Sequence, residues 1–293
     1  HLFLIMEGGA KPKFGTDNSK MINAQTCYNN IKQILREIIT DSMTEYEKVL
    51  AIYDWLMYYG YYDYETYEDS SSDPTITEHN CFYLEGLFLT PSKRLPVCDA
   101  FSKAFVVMCR IEGIEAIKVT GEYNGGGHAW NKVNIVVPGE TVKNWFFLDI
   151  TFDNVLIIID SETQAKKEIL THSYFLVTDI VAAENSMYTR TANARMYNPA
   201  CTTTFNIYDY MMRDYSAMST DGTKDCNITS QSELEALFTF LNTTGSSVPG
   251  LEIILNYTFS DLVTELTNAG AAGWGFVALN RENTLGLFRN GEI

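Results

Sequence analysis

The stretch 95–105, LPVCDAFSKAF, decides the interpretation of this chain, because it places a cysteine where a helix is predicted to begin. Pro96 ends the preceding connection, and the apolar residues after Cys98 continue at helical spacing until Gly113 stops the pattern. The dipole of a helix favours the thiolate form of a cysteine in its first turn. Cys98 is therefore a candidate nucleophile, although a single cysteine more often only packs in a core.

Two further motifs supply the groups that would activate such a thiol. His128 follows three glycines in GGGHAWNKV (125–133), at the start of a predicted strand. Asp149 lies in the apolar run WFFLDITFD (145–153), where a buried carboxylate needs a partner. An adjacent strand carrying His128 would provide one, and the carboxylate would fix the imidazole tautomer. The order Cys98, His128, Asp149 thus predicts a catalytic triad for nucleophilic acyl chemistry.

The surrounding pattern predicts an α+β fold. Thr44 and Glu47 form a capping box that opens a helix running to Tyr59, and a short helix is expected over 79–89. Downstream of the Cys98 helix, β-branched and aromatic runs predict the strands of an antiparallel sheet, over 116–121, 128–137, 145–152 and 172–179.

The last part of the chain is predicted to be a separate small unit. Ser230 and Glu233 suggest a second capping box before a helix, and a strand, another helix and a closing hairpin follow. We therefore expect a first domain over 1–220, with its core at about 44–180, and a small α/β extension over 221–293. The extension contains no cluster of residues with an evident chemical task.

Composition limits the possible partners. The 293 residues carry a formal net charge of -16, which argues against binding to nucleic acids or anionic membranes through bulk electrostatics. The apolar run near the N-terminus is too short to span a bilayer. A composition that is acidic, rich in Tyr and Asn and poor in Lys mildly favours an exported protein.

The cysteines and acidic residues predict neither a disulfide framework nor a metal site. Six cysteines in a chain of this length lack CxxC spacing, and the acidic stretch 63–73 lacks the spacing of an EF-hand loop. Cys201 and Cys226 would be either two structural thiols or one pair oxidised outside the cell. No metal and no cofactor is expected.

The three motifs together resemble the transglutaminase-like superfamily, as do TEYEKVLAIYDWLMYYGYYDY (44–64) upstream and HSYFLVTD (172–179) downstream. The resemblance covers about residues 44–179. It implies a papain-like core with N-terminal helices packed on an antiparallel sheet, with Cys98 as nucleophile, His128 as general base and then acid, and Asp149 as the residue that orients the imidazole. It also implies peptide or protein substrates at a bacterial cell surface, including cell-wall peptides.

Three further residues are predicted near the site. Asn80 and Tyr83 are candidates to assist the Cys98 amide in holding an oxyanion, because they lie in the segment just upstream. Trp130, two residues after His128, either packs beneath the site or contacts substrate. His172 is expected to be structural.

The sequence predicts a cysteine peptidase, amidase or acyltransferase that attacks an amide through a thioester. Water as acceptor gives hydrolysis and a lysine amine gives transamidation, and the sequence does not choose between them. The alternative is a binding or scaffolding module that keeps the fold but performs no reaction. A third hypothesis, a hydrolase that uses Cys98 and His128 as zinc ligands, predicts bound zinc.

Overall fold

The computed structural model describes residues 2–15, 19–63, 80–89, 95–153, 156–159, 166–169, 172–186, 190–207, 227–243, 250–278 and 283–289. The chain divides into two compact units, His1–Phe205 and Asn206–Ile293. The domain boundary predicted at residue 220 lies outside the described residues and stays a prediction. Most of the predicted acidic loop, His79 and Cys226 also lie outside them.

The first unit opens with helices α1 to α4, which are Leu2–Glu7, Ser19–Ile38, Glu45–Tyr59 and Glu85–Phe88. Helix α1 was not predicted, and α2 begins twelve residues before the first apolar repeat of the sequence, at Ile31. The apolar side chains of α1 are buried at Leu2, Phe3 and Met6, and the helix contacts the Cys98 helix. One short apolar face is thus enough to form a helix when another helix covers it.

The predicted capping box at the start of α3 is confirmed. The Thr44 hydroxyl accepts from the Glu47 amide at 3.2 Å, and the Glu47 carboxylate accepts from the Thr44 amide at 2.8 Å. Gly60 ends the helix, and a Cβ atom there would lie 2.5 Å from the Phe101 ring. The end of α3 therefore packs closely on the next long helix.

That helix, α5 (Cys98–Ile111), is the central helix of the unit. It begins because Val97 is extended and its carbonyl accepts from the amides of Ala100 and Phe101, at 3.0 and 3.1 Å. It ends before Gly113, whose φ of +77° suits glycine. Most of its side chains are buried, and it contacts α3 on one side and the first two strands on the other.

A five-stranded sheet covers the central helix, in the order β6-β3-β2-β1-β7. Every pair of neighbouring strands in it is antiparallel, which confirms the predicted α+β class. Its strands are β1 (Glu115–Tyr123), β2 (Gly126–Ile135), β3 (Asn144–Leu148), β6 (Phe175–Val177) and β7 (Arg190–Ala192). Between β3 and β6, strands β4 (Leu156–Ile159) and β5 (Lys166–Ile169) form a separate two-stranded ribbon.

Two expected strand boundaries are wrong. The strand predicted over 145–152 ends at Leu148, and Ile150–Asp153 forms a short helix, α6. The strand predicted over 172–179 is limited to β6, because the Thr178 hydroxyl accepts from the Val181 amide and starts helix α7 (Asp179–Ser186).

The second unit has a sheet and an apolar core of its own. The sheet order is β10-β11-β9-β8, with β8 and β9 parallel and the other pairs antiparallel. Its elements are β8 (Asn227–Ile228), α8 (Gln231–Thr243), β9 (Gly250–Leu255), α9 (Leu262–Asn268), β10 (Trp274–Ala278) and β11 (Thr284–Arg289). The predicted hairpin is therefore present, and the buried cluster runs from Ile228 to Leu287 within this unit.

The predicted second capping box differs in one bond. The Ser230 hydroxyl accepts from the Glu233 amide at 3.3 Å, as expected, but the Glu233 carboxylate accepts from the Thr229 amide at 2.6 Å. The carboxylate thus reaches one residue further back than the motif predicts. Of the helices in the described ranges, none has the length and apolar character needed to cross a bilayer.

Candidate active site

Cys98 is the first residue of helix α5, and its exposed fraction is 7%. The amides of Cys98 and Asp99 precede the first amide that bonds to the Val97 carbonyl, so they occupy the helix positions where backbone donors are left over. Such donors, together with the helix dipole, favour negative charge on the sulfur and on an oxyanion beside it.

Asp99 would oppose that charge if its carboxylate were left uncompensated beside the thiol. It forms salt bridges with Lys103, one turn along the helix, and with Lys118 on β1. The Lys103 ammonium group also donates to the Phe82 carbonyl at 2.8 Å, which holds the 80–82 turn against the start of α5. Two cations therefore compensate the Asp99 carboxylate, which follows Cys98 in sequence.

His128 lies on β2, opposite Gly121 on β1. Its side chain is 8% exposed and is surrounded by aromatic rings. The Trp130 ring stacks at 6.0 Å between centroids, Phe152 meets the imidazole edge-on at 5.1 Å, and Tyr123 lies at 5.9 Å. Packing of this kind leaves the imidazole few alternative orientations.

Asp149 directly follows β3 and is 1% exposed. Its carboxylate Oδ2 lies 2.8 Å from His128 Nε2. The backbone of Asp149 is held on both sides, because its amide donates to the Tyr174 carbonyl and its own carbonyl accepts from the amides of Phe152 and Asp153. The bend at the end of β3 is thus what aims this carboxylate at the neighbouring strand.

The pKa of His128 is raised from its ordinary 6.5 to about 9. Burial alone lowers it, but the charge of Asp149 and the hydrogen bond to it act the other way and are reinforced by a hydrogen bond and charge from Cys98. Cys98 and Asp149 therefore both raise the pKa of the His128 imidazole. Since Asp149 occupies Nε2, the other nitrogen, Nδ1, remains for the thiol.

The other described cysteines have thiols that burial makes harder to ionise. Desolvation raises the pKa of Cys27 and Cys201 to about 12 and that of Cys81 to about 11, and it also raises the pKa of Cys109. Because the thiolate is the nucleophile, these four side chains are poorly reactive near neutral pH. Cys201 is a free thiol, and the predicted alternative of a pair with Cys226 involves a residue outside the described part.

The three additional candidates are placed differently from one another. Trp130 is 3% exposed and packs in an apolar cluster with Phe147 and Tyr174, beneath His128. Tyr83 is 49% exposed, and the Lys103 ammonium group lies 5.0 Å from its ring centroid. Asn80 begins the 3-10 turn Asn80–Phe82, but its side chain is outside the described part.

A second buried carboxylate lies close to Asp149 in sequence, and sequence reasoning missed it. Asp153 is fully buried, and it accepts from the Tyr53 hydroxyl at 2.6 Å and from the Tyr174 amide. The available signal was its position four residues after Asp149, in the same apolar run. His172, expected to be structural, lies 2.7 Å from the Asp54 carboxylate and beside the Tyr53 ring.

Within the described ranges, no group of three or more His, Cys, Asp or Glu side chains is arranged to hold a metal ion. The described residues do contain the Cys98 thiol at the start of a helix, the His128 imidazole and the buried Asp149 carboxylate. Both Cys98 and Asp149 raise the pKa of the imidazole.

Comparison with known proteins supports the resemblance found in the sequence. Residues 32–150 match the family model of the transglutaminase-like superfamily, so this part of the chain is similar to transglutaminase-like domains. The matched range contains Cys98, His128 and Asp149. The resemblance predicted from the sequence is therefore confirmed.

Individual relatives are distant. Kyphoscoliosis peptidase from Mus musculus is 22% identical over 163 residues, which is 52% of this chain and 22% of that protein, and the Homo sapiens protein gives the same values. The chain thus spans about a fifth of the length of these curated relatives. Among solved structures, a TGase is 19% identical with a TM-score of 0.32 and covers 47% of this chain and 34% of its own. A candidate cysteine protease from Cytophaga hutchinsonii is 21% identical with a TM-score of 0.30, covering 62% and 54%.

Proposed function

We propose that the protein is a thiol-dependent acyl-transfer enzyme acting on peptide or protein amides. The proposal rests on one observation. The buried His128 imidazole forms a hydrogen bond with Asp149 through Nε2, and Cys98 raises the pKa of the same ring. The imidazolium is then stabilised over the neutral pH range, as the partner of a thiolate requires.

In the proposed reaction, the Cys98 thiolate attacks the amide carbonyl. The amides of Cys98 and Asp99 stabilise the oxyanion, and the His128 imidazolium gives its proton to the leaving amine. The thioester is then resolved by an acceptor that neutral His128 deprotonates. Asp149 keeps the ring oriented through both steps.

The acceptor decides between two activities. Water yields a peptidase or amidase, and a primary amine yields a transamidase. The name of the mammalian relatives, which are called peptidases, favours water, although the chain spans only a fifth of their length. A net charge of -16 favours neutral or cationic substrates. We propose a location outside the cell on the composition alone, and wall peptides as substrates on the resemblance alone.

The test offers a peptide library together with a fluorescent primary amine to the protein and to Cys98→Ala. Cleavage that Cys98→Ala lacks supports hydrolysis, and amine incorporation that it lacks supports transamidation. Cys109→Ala is the matched control, because it removes a buried thiol from the same helix and should leave activity unchanged. If the protein and Cys98→Ala give the same product profile, the enzymatic proposal is wrong.

A further inference from the structure

The Asn131 side chain joins the two elements that carry the thiol and the imidazole. Asn131 lies on β2, three residues beyond His128, and is 1% exposed. Its amide nitrogen donates to the Ser102 carbonyl of α5 at 2.9 Å and to the Ile117 carbonyl of β1 at 3.2 Å. A single buried amide group thus ties the central helix to two strands of the sheet.

The link continues along the helix to the nucleophile. The Ser102 hydroxyl, itself buried, donates to the Cys98 carbonyl at 2.8 Å. Ser102 lies one helical turn beyond Cys98, so the tie from β2 reaches α5 close to its reactive end. A second polar tie, between Asp99 and Lys118, joins the same helix to β1 at a partly exposed position.

Most of the other buried side chains of α5 are apolar. Apolar packing is non-directional, whereas a hydrogen bond fixes both distance and angle. The Asn131 amide therefore fixes how far α5 can slide along β2. That offset determines the separation of the Cys98 sulfur from the His128 ring.

We propose that Asn131, acting through Ser102, is a positioning residue that sets the distance between the Cys98 thiol and the His128 imidazole. This inference rests on the proposed function, since it concerns the same pair of groups. Asparagine suits the position because its NH₂ group offers two donors to two carbonyls, whereas aspartate would turn carboxylate oxygens toward them.

The test measures whether Cys98 still raises the His128 pKa when the hydrogen bonds of Asn131 are removed. Among the described residues, the groups whose charge raises the His128 pKa are Asp149 and Cys98, and the rings that pack on the imidazole belong to Tyr123, Trp130 and Phe152. The His128 pKa is measured by NMR titration in the parent, Cys98→Ala, Asn131→Ala and the double variant. In the parent, Cys98→Ala should lower this pKa, because Cys98 raises it.

In the Asn131→Ala background we expect Cys98→Ala to leave the His128 pKa unchanged, because the two groups have moved apart. Alkylation of Cys98 by iodoacetamide near neutral pH, followed by peptide mapping, should slow by roughly 10–100-fold, since a displacement on the order of 1 Å can cost that much. A role confined to stability would lower the melting temperature but leave both quantities unchanged in the folded protein.

Two further variants complete the design. Asn134→Ala, on the same strand, removes an amide that donates to the Glu115 carboxylate at 2.8 Å and should behave as the parent. Ser102→Ala keeps a good helix former and removes only the hydroxyl link, so it should weaken the Cys98–His128 coupling. Ser102→Ala leaves both hydrogen bonds of Asn131 intact, so if Asn131→Ala does not fold, Asn131→Val, which suits a strand and removes both donors, takes its place.

The outcomes separate the inference from the proposed function. If the Cys98 effect on the His128 pKa is present in the parent and persists undiminished in Asn131→Ala, or in Asn131→Val where that variant alone folds, Asn131 is not a positioning residue while the proposed enzyme stands. If Cys98→Ala leaves the His128 pKa unchanged in the parent as well, the thiol and the imidazole are not coupled, and both proposals fall.

Discussion

Replacing Asp149 with asparagine should remove the main interaction that stabilises the positively charged form of the His128 imidazole. The substitution preserves size but removes the charge 2.8 Å from His128 Nε2. Without that charge, the lowering of the pKa by burial is less strongly opposed, and the His128 pKa should fall from about 9 toward its ordinary 6.5.

The structure sets the size of this effect. The difference between 6.5 and about 9 corresponds to ~3 kcal/mol of preference for the charged ring, at about 1.36 kcal/mol for each pKa unit. The side chain is only 8% exposed, so solvent screens little of it. Because the folded pKa is raised, this stabilisation is fully present below pH 6.5 and is lost as the pH rises through 9.

The assay follows the His128 ring by NMR titration, assigned with His128→Gln, and the free energy of unfolding in urea between pH 6 and 10. The advantage of the parent over Asp149→Asn should shrink by ~3 kcal/mol across this range. Asp54→Asn is the control, because it cuts the other histidine–aspartate pair, with His172. A His128 pKa that stays near 9 in Asp149→Asn would refute the reasoning.

Three other predictions concern stability. Thr44→Ala should lower the free energy of unfolding by ~1 kcal/mol, measured in urea, because it removes both bonds made by the capping hydroxyl. Gly121→Ala places a Cβ 2.0 Å from a carbonyl oxygen of β7, so we expect the free energy of unfolding to fall by about 1–3 kcal/mol and amide exchange in β7 to become faster. In Gly127→Ala the Cβ meets nothing within 4 Å, so this control should be near neutral. Equal melting temperatures of the two variants would contradict the prediction. Tyr53→Phe removes a donor from the buried Asp153 carboxylate and should cost about 1–3 kcal/mol at pH 7, with an unchanged midpoint arguing against it.

The sequence was most informative where local chemistry determines the structure. The capping box at Thr44, the glycine after the Cys98 helix and the β-branched runs of the sheet depend on interactions within a few residues. These elements could be predicted, and so could the pairing of His128 with Asp149, because a carboxylate in an apolar run needs a partner.

What the sequence could not supply depends on contacts between distant segments. Asp149 was expected inside a strand, yet the carbonyl of this residue accepts from two amides of a following helical turn and ends β3. Asp153 was missed because its partner Tyr53 lies 100 residues away in the chain. Helix α1 was missed because its stability depends on contact with α5, which lies far from it in the sequence.

The second unit has its interior apolar residues between Ile228 and Leu287, while the superfamily match ends at residue 150. A segment with its own interior can be gained or lost by gene recombination without unravelling its neighbour. Evolution is then free to exchange or lose this unit while the matched region keeps its own fold, so that the two parts of the chain can diversify at separate rates.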